Sequence, residues 1–338
     1  MLHESELNIS GMSLGADAPH DPLETLCIHP LHGSLSVSVY DVRCRPHDKA
    51  RGPEEHPLTH QIVFPRRGVF EFESLGEKAI ADPNRVLFFN RGQAYHVAHP
   101  AGAGDDCTVF AFGDRLLQGA LELVDPRWLD SAGCGASVSH SDALAQPFRF
   151  VHALNDEDTF LAHEKLRRAA QSPHREALAL DEAAVELLCA VMHGAYRSRG
   201  RSAKVARSST AAAHSEIAQR ASLYLASAFC ENAALADVGR AVHASPFHLA
   251  RLFRREFGLT IHQYRHRLRL RAALARVAEG ETNLSDLALT LGFSSHSHLT
   301  DAFRLAFGMS PAECRKSLGV RRVREMSRNL EVRPRAKT

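Results

Sequence analysis

Leu249-Ala-Arg-Leu-Phe-Arg-Arg-Glu-Phe-Gly258 returns 50 residues later as Leu299-Thr-Asp-Ala-Phe-Arg-Leu-Ala-Phe-Gly308. Upstream of each, Leu235-Ala-Asp-Val238 returns 49 residues later as Leu284-Ser-Asp-Leu287. Apolar positions are kept while polar ones vary, which marks a duplicated supersecondary unit. The one-residue slip falls between the quoted halves, where each unit must turn.

Each unit reads as two short amphipathic helices. In the first, Leu235, Val238 and Val242 fall at helical spacing, and Leu249, Leu252, Phe253 and Phe257 follow with the same kind of spacing. Ser245-Pro246 opens the second helix, because a hydroxyl can accept an orphan N–H and proline at the first helical position loses no hydrogen bond. In the second unit Asn283 is the cap, Leu284, Leu287 and Leu291 form the stripe, and Gly292-Phe-Ser-Ser295 supplies the turn and the next cap. Leu299, Ala302, Phe303 and Phe307 then face inward, and Gly258 and Gly308 stop the two second helices. Helix, turn, helix is written twice.

The residues off these stripes carry the chemistry. They are Ser245, Phe247, His248, Ala250, Arg251, Arg254 and Arg255 in the first unit, and Ser294, Ser295, His296, Ser297, His298, Thr300, Asp301 and Arg304 in the second. Arginine grips guanine O6 and N7 with two parallel bonds or holds a phosphate, while Ser, Thr and His reach base edges or backbone oxygens. Arginines along one isolated helix are more often a solvated face. Two matched units with matched turns favour double-stranded DNA as the partner.

The segment 217–315 resembles the DNA-binding domain of the AraC/XylS transcription regulators, through Ser245-Pro-Phe-His-Leu-Ala-Arg-Leu-Phe-Arg-Arg-Glu-Phe-Gly258 and Gly292-Phe-Ser-Ser-His-Ser-His-Leu-Thr-Asp-Ala-Phe-Arg-Leu-Ala-Phe-Gly-Met-Ser-Pro311. The resemblance implies a seven-helix domain in which a long helix, here about 261–278, joins two helix-turn-helix modules that enter successive major-groove segments. By family position Phe247, Ala250 and Arg251, and in the second module His296, Ser297, Thr300 and Asp301, would sit nearest the bases. Two residues depart from the pattern. Asp301 stands in the place of Arg251, where an acid repels phosphates but can accept from cytosine N4. Cys314 stands where the first repeat has Tyr264 and the family often has an aromatic residue, which looks like a packing change.

Charge divides the chain in the same way. Residues 1–196 hold 16 Lys/Arg against 28 Asp/Glu, a balance of −12, while residues 197–338 hold 25 against 11, a balance of +14. A basic C-terminal part is the footprint of phosphate contact. The stretch Arg197-Ser-Arg-Gly-Arg-Ser-Ala-Lys-Val-Ala-Arg-Ser-Ser-Thr210 has five bases and no acid, and it reads as a basic linker over 197–213 between two domains. The expected plan is a flexible N-terminus (1–24), a sensing domain (25–150), a helical dimerisation or packing segment (151–196), the linker, the double helix-turn-helix domain (214–320) and a basic tail (321–338).

The N-terminal half changes period. Ser34-Leu-Ser-Val-Ser-Val-Tyr40 alternates, and Gln61-Ile-Val-Phe64, Val69-Phe-Glu-Phe72, Arg85-Val-Leu-Phe-Phe89 and Thr108-Val-Phe-Ala-Phe112 are short strands between turn residues. They suggest a small β-barrel. Before an AraC-type domain, it resembles the cupin-like sensing barrel common in that family, so the fold class is α+β multidomain. Helical periods follow over 159–168 and 180–192, with Leu180, Ala184, Leu187, Leu188 and Val191 on one face. That face dimerises many family members or packs on its own barrel.

Several sensors fit the residues. His60, His96, His99 and Cys107, with His56, are ligand-capable, but the tight His-x-His pair and following Glu of cupin metal sites are missing, leaving metal binding open. Cys44, between Arg43 and Arg45, could be a redox-reactive thiol, although strand neighbours point to opposite faces. The commonest alternative for such a barrel is a small organic effector held in an apolar lumen with a few polar fixing groups. No signal peptide and no run of about 20 apolar residues stand in the sequence, pointing to the cytoplasm. Seven scattered cysteines indicate no disulfide scaffold.

These readings converge on an effector-responsive, sequence-specific regulator, expected to be an activator that meets RNA polymerase and a homodimer through 1–196. It should need no cofactor and catalyse nothing. A metal-dependent cupin enzyme with a DNA-binding appendage and a nonspecific architectural DNA protein are the alternatives.

Overall fold

The computed structural model describes residues 26–46, 49–124, 146–172, 176–202 and 209–319. The segments expected to form the N-terminus 1–24 and the basic tail 321–338 lie outside the described residues, as does Cys134.

Among the described residues the N-terminal half contributes nine strands: β1 (Leu26–Gly33), β2 (Val37–Cys44), β3 (His60–Arg67), β4 (Phe70–Ser74), β5 (Glu77–Ala81), β6 (Arg85–Phe89), β7 (Tyr95–Ala98), β8 (Asp105–Phe112) and β9 (His152–Leu154). They do not close into the expected barrel. An antiparallel six-stranded sheet runs β1-β2-β8-β3-β6-β9, and a separate three-stranded sheet runs β5-β4-β7. The break follows β3. Gly68 lies at φ +77°, where its missing Cβ lets the chain pass the Gly104 carbonyl, and β4 pairs with β5 and β7 instead of extending the first ladder.

Residue alternation explains both layers. On β2, β3, β6 and β8, residues Val39, Phe64, Phe88 and Phe110 face helix α1 (Asp114–Val124) and helix α3 (Ala177–Ser202), whereas Tyr40, Val63, Leu87 and Val109 face Phe70 and Phe72 of the small sheet. Both faces are therefore covered. That is why β6 and β8 are buried along their whole length and read as continuous apolar runs.

The stripe Leu180, Ala184, Leu187, Leu188 and Val191 of α3 is buried in the same cluster as Val39, Phe64 and Phe88. Of the two partners open to it, the structure shows its own sheet. The segment 151–196 also begins with strand β9, paired to β6, before helix α2 (Glu157–Gln171). The linker reading needs correction too: α3 runs through Ser202, and helix α4 (Ser209–Ser227) begins inside 197–213. Extending a formed helix adds one hydrogen bond per residue fixed, and Arg and Ala are good helix formers, so low hydrophobicity does not stop it there.

Seven helices form the C-terminal domain: α4, α5 (Leu235–Ala241), α6 (Pro246–Phe257), α7 (Ile261–Ala278), α8 (Leu284–Thr290), α9 (His296–Phe307) and α10 (Pro311–Gly319). The long helix α7 serves two cores. Tyr264 and Leu268 in its first half pack with Val238, Leu249, Phe253 and Phe257, and Leu270, Leu274 and Val277 in its second half pack with Leu287, Leu299, Phe303 and Phe307. Each core also takes apolar residues from the N-terminal half: Val69 and Ile80 in the first, Phe160 and Leu161 in the second. The two halves of the chain are thus packed together, and the turn Asp82-Pro-Asn-Arg85 lies against α7.

Candidate nucleic-acid interface

Both second helices start and stop as their sequences dictate. Ser245 accepts a hydrogen bond from His248 N (3.3 Å) with Pro246 at the first position, and Ser295 accepts from His298 N (3.1 Å). Gly258 and Gly308 end the helices at φ +67° and +72°. The repeat slip is in the turns: 242–245 separate α5 from α6, whereas 291–295 separate α8 from α9. Gly292 absorbs the extra residue at φ +78°, close to the Cys230 carbonyl and the Arg269 guanidinium.

The residues chosen off the stripes do reach the surface. Phe247 is 81% exposed, Ser245, Arg251, Arg254 and Arg255 are exposed, and His248 and Ala250 are half-buried. In α9 and its cap, Ser294, Ser295, His296, Ser297, His298, Asp301 and Arg304 are exposed and Thr300 is half-buried. Ser294 Oγ lies 2.9 Å from His298 Nδ1, which ties the turn to the helix. The acid of the second module therefore stands on the same open face as the histidines. Cys314 is a packing residue with no exposure, its thiol pushed up to about 12 by burial.

Periodicity does not single out Arg269. It sits inside α7, donating from Nε to Phe229 O (2.7 Å), from Nη1 to Gly292 O (2.7 Å) and from Nη2 to Glu231 O (2.9 Å). One side chain thereby bolts the turn of the second module to the segment that follows α4. The only sequence signal is a charge at a helix position flanked by apolar neighbours.

The sensor residues separate into two groups. His60 accepts from Arg91 N (3.2 Å) beside Phe148, and burial lowers its imidazole to about 4. His96 contacts Gly52 O (3.2 Å), apart from His60. Cys44, His99 and Cys107, by contrast, gather around Asp105: His99 Nε2 is 2.7 Å from Asp105 Oδ2, and Cys107 donates to Asp105 Oδ1 (3.1 Å). Burial disfavours the charged His99 imidazole, but its contacts with Asp105 and Cys44 outweigh this and raise it to about 9. Burial lifts the Cys107 thiol. The arginines beside Cys44 turn elsewhere, Arg43 to Asp41 (3.1 Å) and Arg45 to Asp106 (2.8 Å). Between the sheets, where an apolar lumen was expected, Tyr40, Val63, Phe72, Phe89 and Val109 pack against one another.

Two helix-turn-helix modules on one connecting helix, each with an exposed polar face, define a DNA-binding domain of the double helix-turn-helix class. A family model described as a helix-turn-helix domain matches residues 238–317. The probable transcriptional regulator LumQ of Photobacterium leiognathi is 47% identical over 60 residues, which are 18% of this chain and 24% of that protein. The probable transcription factor PqrA of Proteus vulgaris is 34% identical over 73 residues, 22% of this chain and 60% of that protein. The chain thus spans less than two thirds of either relative. The crystal structure of ToxT from Vibrio cholerae O395 aligns over 84% of this chain and 99% of its own at 12% identity with a TM-score of 0.32.

Proposed function

We propose that the chain is a sequence-specific, double-stranded DNA-binding transcription regulator of the cytoplasm whose N-terminal domain answers to an effector. The observation that carries this reading is the pair of capped recognition helices, α6 and α9, mounted on α7 with Arg251, Arg254 and Arg304 exposed. A net charge of +14 over 197–338 supports it, since each phosphate neutralised releases counterions. No helix among the described residues is long and apolar enough to cross a membrane. The effector works by differential affinity: whatever it binds more tightly in one arrangement of the two halves, it favours. Activation through contact with RNA polymerase follows the commoner behaviour of the resembled family, and a homodimer would use surfaces of 1–196 other than the buried stripe of α3. Catalysis and a required cofactor form no part of this reading.

The test is binding of the full-length protein to labelled fragments flanking its own gene, against scrambled DNA, over a range of salt. A preference of about a thousandfold or more is expected, within the window of specific readers. Equal and steeply salt-dependent binding to every fragment, with or without cell extract as effector source, would favour the architectural alternative.

A further inference from the structure

We infer that Cys44, His99 and Asp105 form a binding site for a thiophilic divalent cation of the zinc class. The thiol, imidazole and carboxylate donor atoms all lie within 4.8 Å of one another. A tetrahedral ion with bonds of about 2.0 to 2.3 Å holds its donors roughly 3.3 to 3.8 Å apart, so small rotations of the side chains close the set. A sulfur, a nitrogen and an oxygen donor suit zinc and its neighbours, whereas magnesium and calcium ask for oxygen alone.

The backbone holds these residues in place before any ion arrives. Cys44, last in β2, and Asp105, first in β8, are direct cross-strand partners and so point to the same face. Arg45 ties the strand ends together, donating to Cys44 O (2.7 Å), Asp105 O (3.0 Å) and Asp106 Oδ1 (2.8 Å). Gly104 allows this approach, since a Cβ there would strike the Cys44 carbonyl and the Arg45 side chain. Cys107, two residues along the same face, orients the Asp105 carboxylate by donating to Oδ1, the supporting role that outer partners play at metal sites. His99 and Asp105 are buried and Cys44 is half-buried, which leaves one side open for entry and for a fourth ligand from solvent. On binding, the Cys44 thiol and the protonated His99 imidazole each give a proton to solvent and the His99–Asp105 hydrogen bond opens, so that both donors face the ion.

The site adjoins the DNA-binding half. Ala101, two residues after His99, packs in the cluster that holds Val69, Ile80, Leu249 and Phe253, and Asp106 pairs in register with Arg67, which contacts Glu279 at the end of α7. Coupling to DNA rests on the regulatory reading above; ion binding does not.

Cobalt titration of the reduced, dialysed full-length protein tests the site, with zinc affinity measured against a chromophoric chelator. One equivalent with a thiolate-to-cobalt charge-transfer band is expected in the wild type. Cys44→Ser and His99→Gln each abolish the band and weaken zinc by a hundredfold or more, and Cys107→Ser keeps the band with zinc weakened about ten- to a hundredfold. Absence of the band in the wild type, or equal zinc affinity in the wild type and in whichever of the two ligand variants keeps its circular dichroism spectrum, overturns the site and assigns bound metal to other histidines. DNA affinity with and without zinc then isolates the coupling: a change in the wild type that Cys44→Ser lacks supports it, and zinc bound with no change in DNA affinity removes the coupling alone.

Discussion

His163 shows how one buried side chain sets an acid limit on the fold. It stacks on Phe64 with ring centroids 4.4 Å apart, is hydrogen-bonded to Thr108 Oγ1 (2.9 Å), and is held neutral by burial, its imidazole lowered to about 3. The unfolded chain takes up a proton near pH 6.5, as any free imidazole does, and the folded one refuses it until about pH 3. Stability must therefore fall as pH drops through that window, by up to about 1.4 kcal/mol per pH unit from this residue. Burial lowers His60 and His152 in the same direction. Glu164 adds its loss further down: burial would raise its carboxyl, but the Arg167 guanidinium draws it to about 2, so its contribution is complete above about pH 4.5 and disappears toward pH 2. Urea midpoints measured from pH 7 to pH 5 should decline steadily, and His163→Gln, which keeps a donor for Thr108, should make the decline shallower. An unchanged slope in that variant would mean that His163 is protonated in the folded protein.

At the scale of the element, the recognition helices invite a direct exchange. Asp301 occupies on α9 the place of Arg251 on α6, and both are exposed, so swapping them alters the field at the DNA and little else. Asp301→Arg should strengthen binding to all duplexes and steepen the slope of log affinity on log salt by roughly 0.9 for one new phosphate contact. Fluorescence anisotropy over a salt series reads both, and an unchanged slope would show that α9 stands away from the backbone. Arg251→Ala should weaken specific binding about tenfold to a hundredfold and relax preference at one base pair, if it grips a guanine. These helices were legible because caps, stripes and stop glycines are local and stated twice. The strands were less so. β1 carries Pro30 and half-exposed residues at a sheet edge, β9 has three residues, and neither has a pattern that separates it from loop. Closure into one barrel or division into two sheets depends on which strands pair, which alternation does not encode. The stripe of α3 was legible as a buried face but not as to its partner, and Leu187→Ala should now cost about 2 to 5 kcal/mol in urea melts without changing the mass seen by light scattering. Cys44 is far in sequence from His99 and Asp105, so only the β2–β8 pairing and the loop after β7 reveal the three as neighbours.

Across the whole molecule, the informative feature is that the two halves meet through buried polar groups as well as apolar ones. Asp82, Asn84, Tyr264 and Arg271 are all fully buried. Tyr264 donates to Asp82 Oδ2 (2.6 Å), Asn84 Nδ2 donates to Tyr264 O (3.1 Å), and Arg271 donates to the carbonyls of Pro83 and Asn155 while lying over the ring of Phe160. Burial raises the Asp82 carboxyl, against the pull of Tyr264 and Arg85. Apolar contact tolerates sliding, whereas each of these bonds has one geometry and leaves an orphaned group when it fails. The junction therefore fixes the orientation of α7, and α7 carries both modules. Here the departure at Cys314 acquires a meaning: the first repeat keeps a tyrosine because its hydroxyl crosses to Asp82, and the second repeat packs a thiol at the matching place. Tyr264→Phe leaves Oδ2 of the buried Asp82 without its hydroxyl donor, while Oδ1 keeps Asn84 N (2.8 Å), and should cost about 1 to 3 kcal/mol. Combined with Arg271→Gln it should release the halves from each other, giving two calorimetric transitions where the wild type shows one, with helix content retained. If the junction sets how the modules face DNA, the same double variant should bind a single half-site as the wild type does, yet lose its preference among operators whose two half-sites differ in spacing. Retained spacing preference in an undocked variant would place that control in α7 alone.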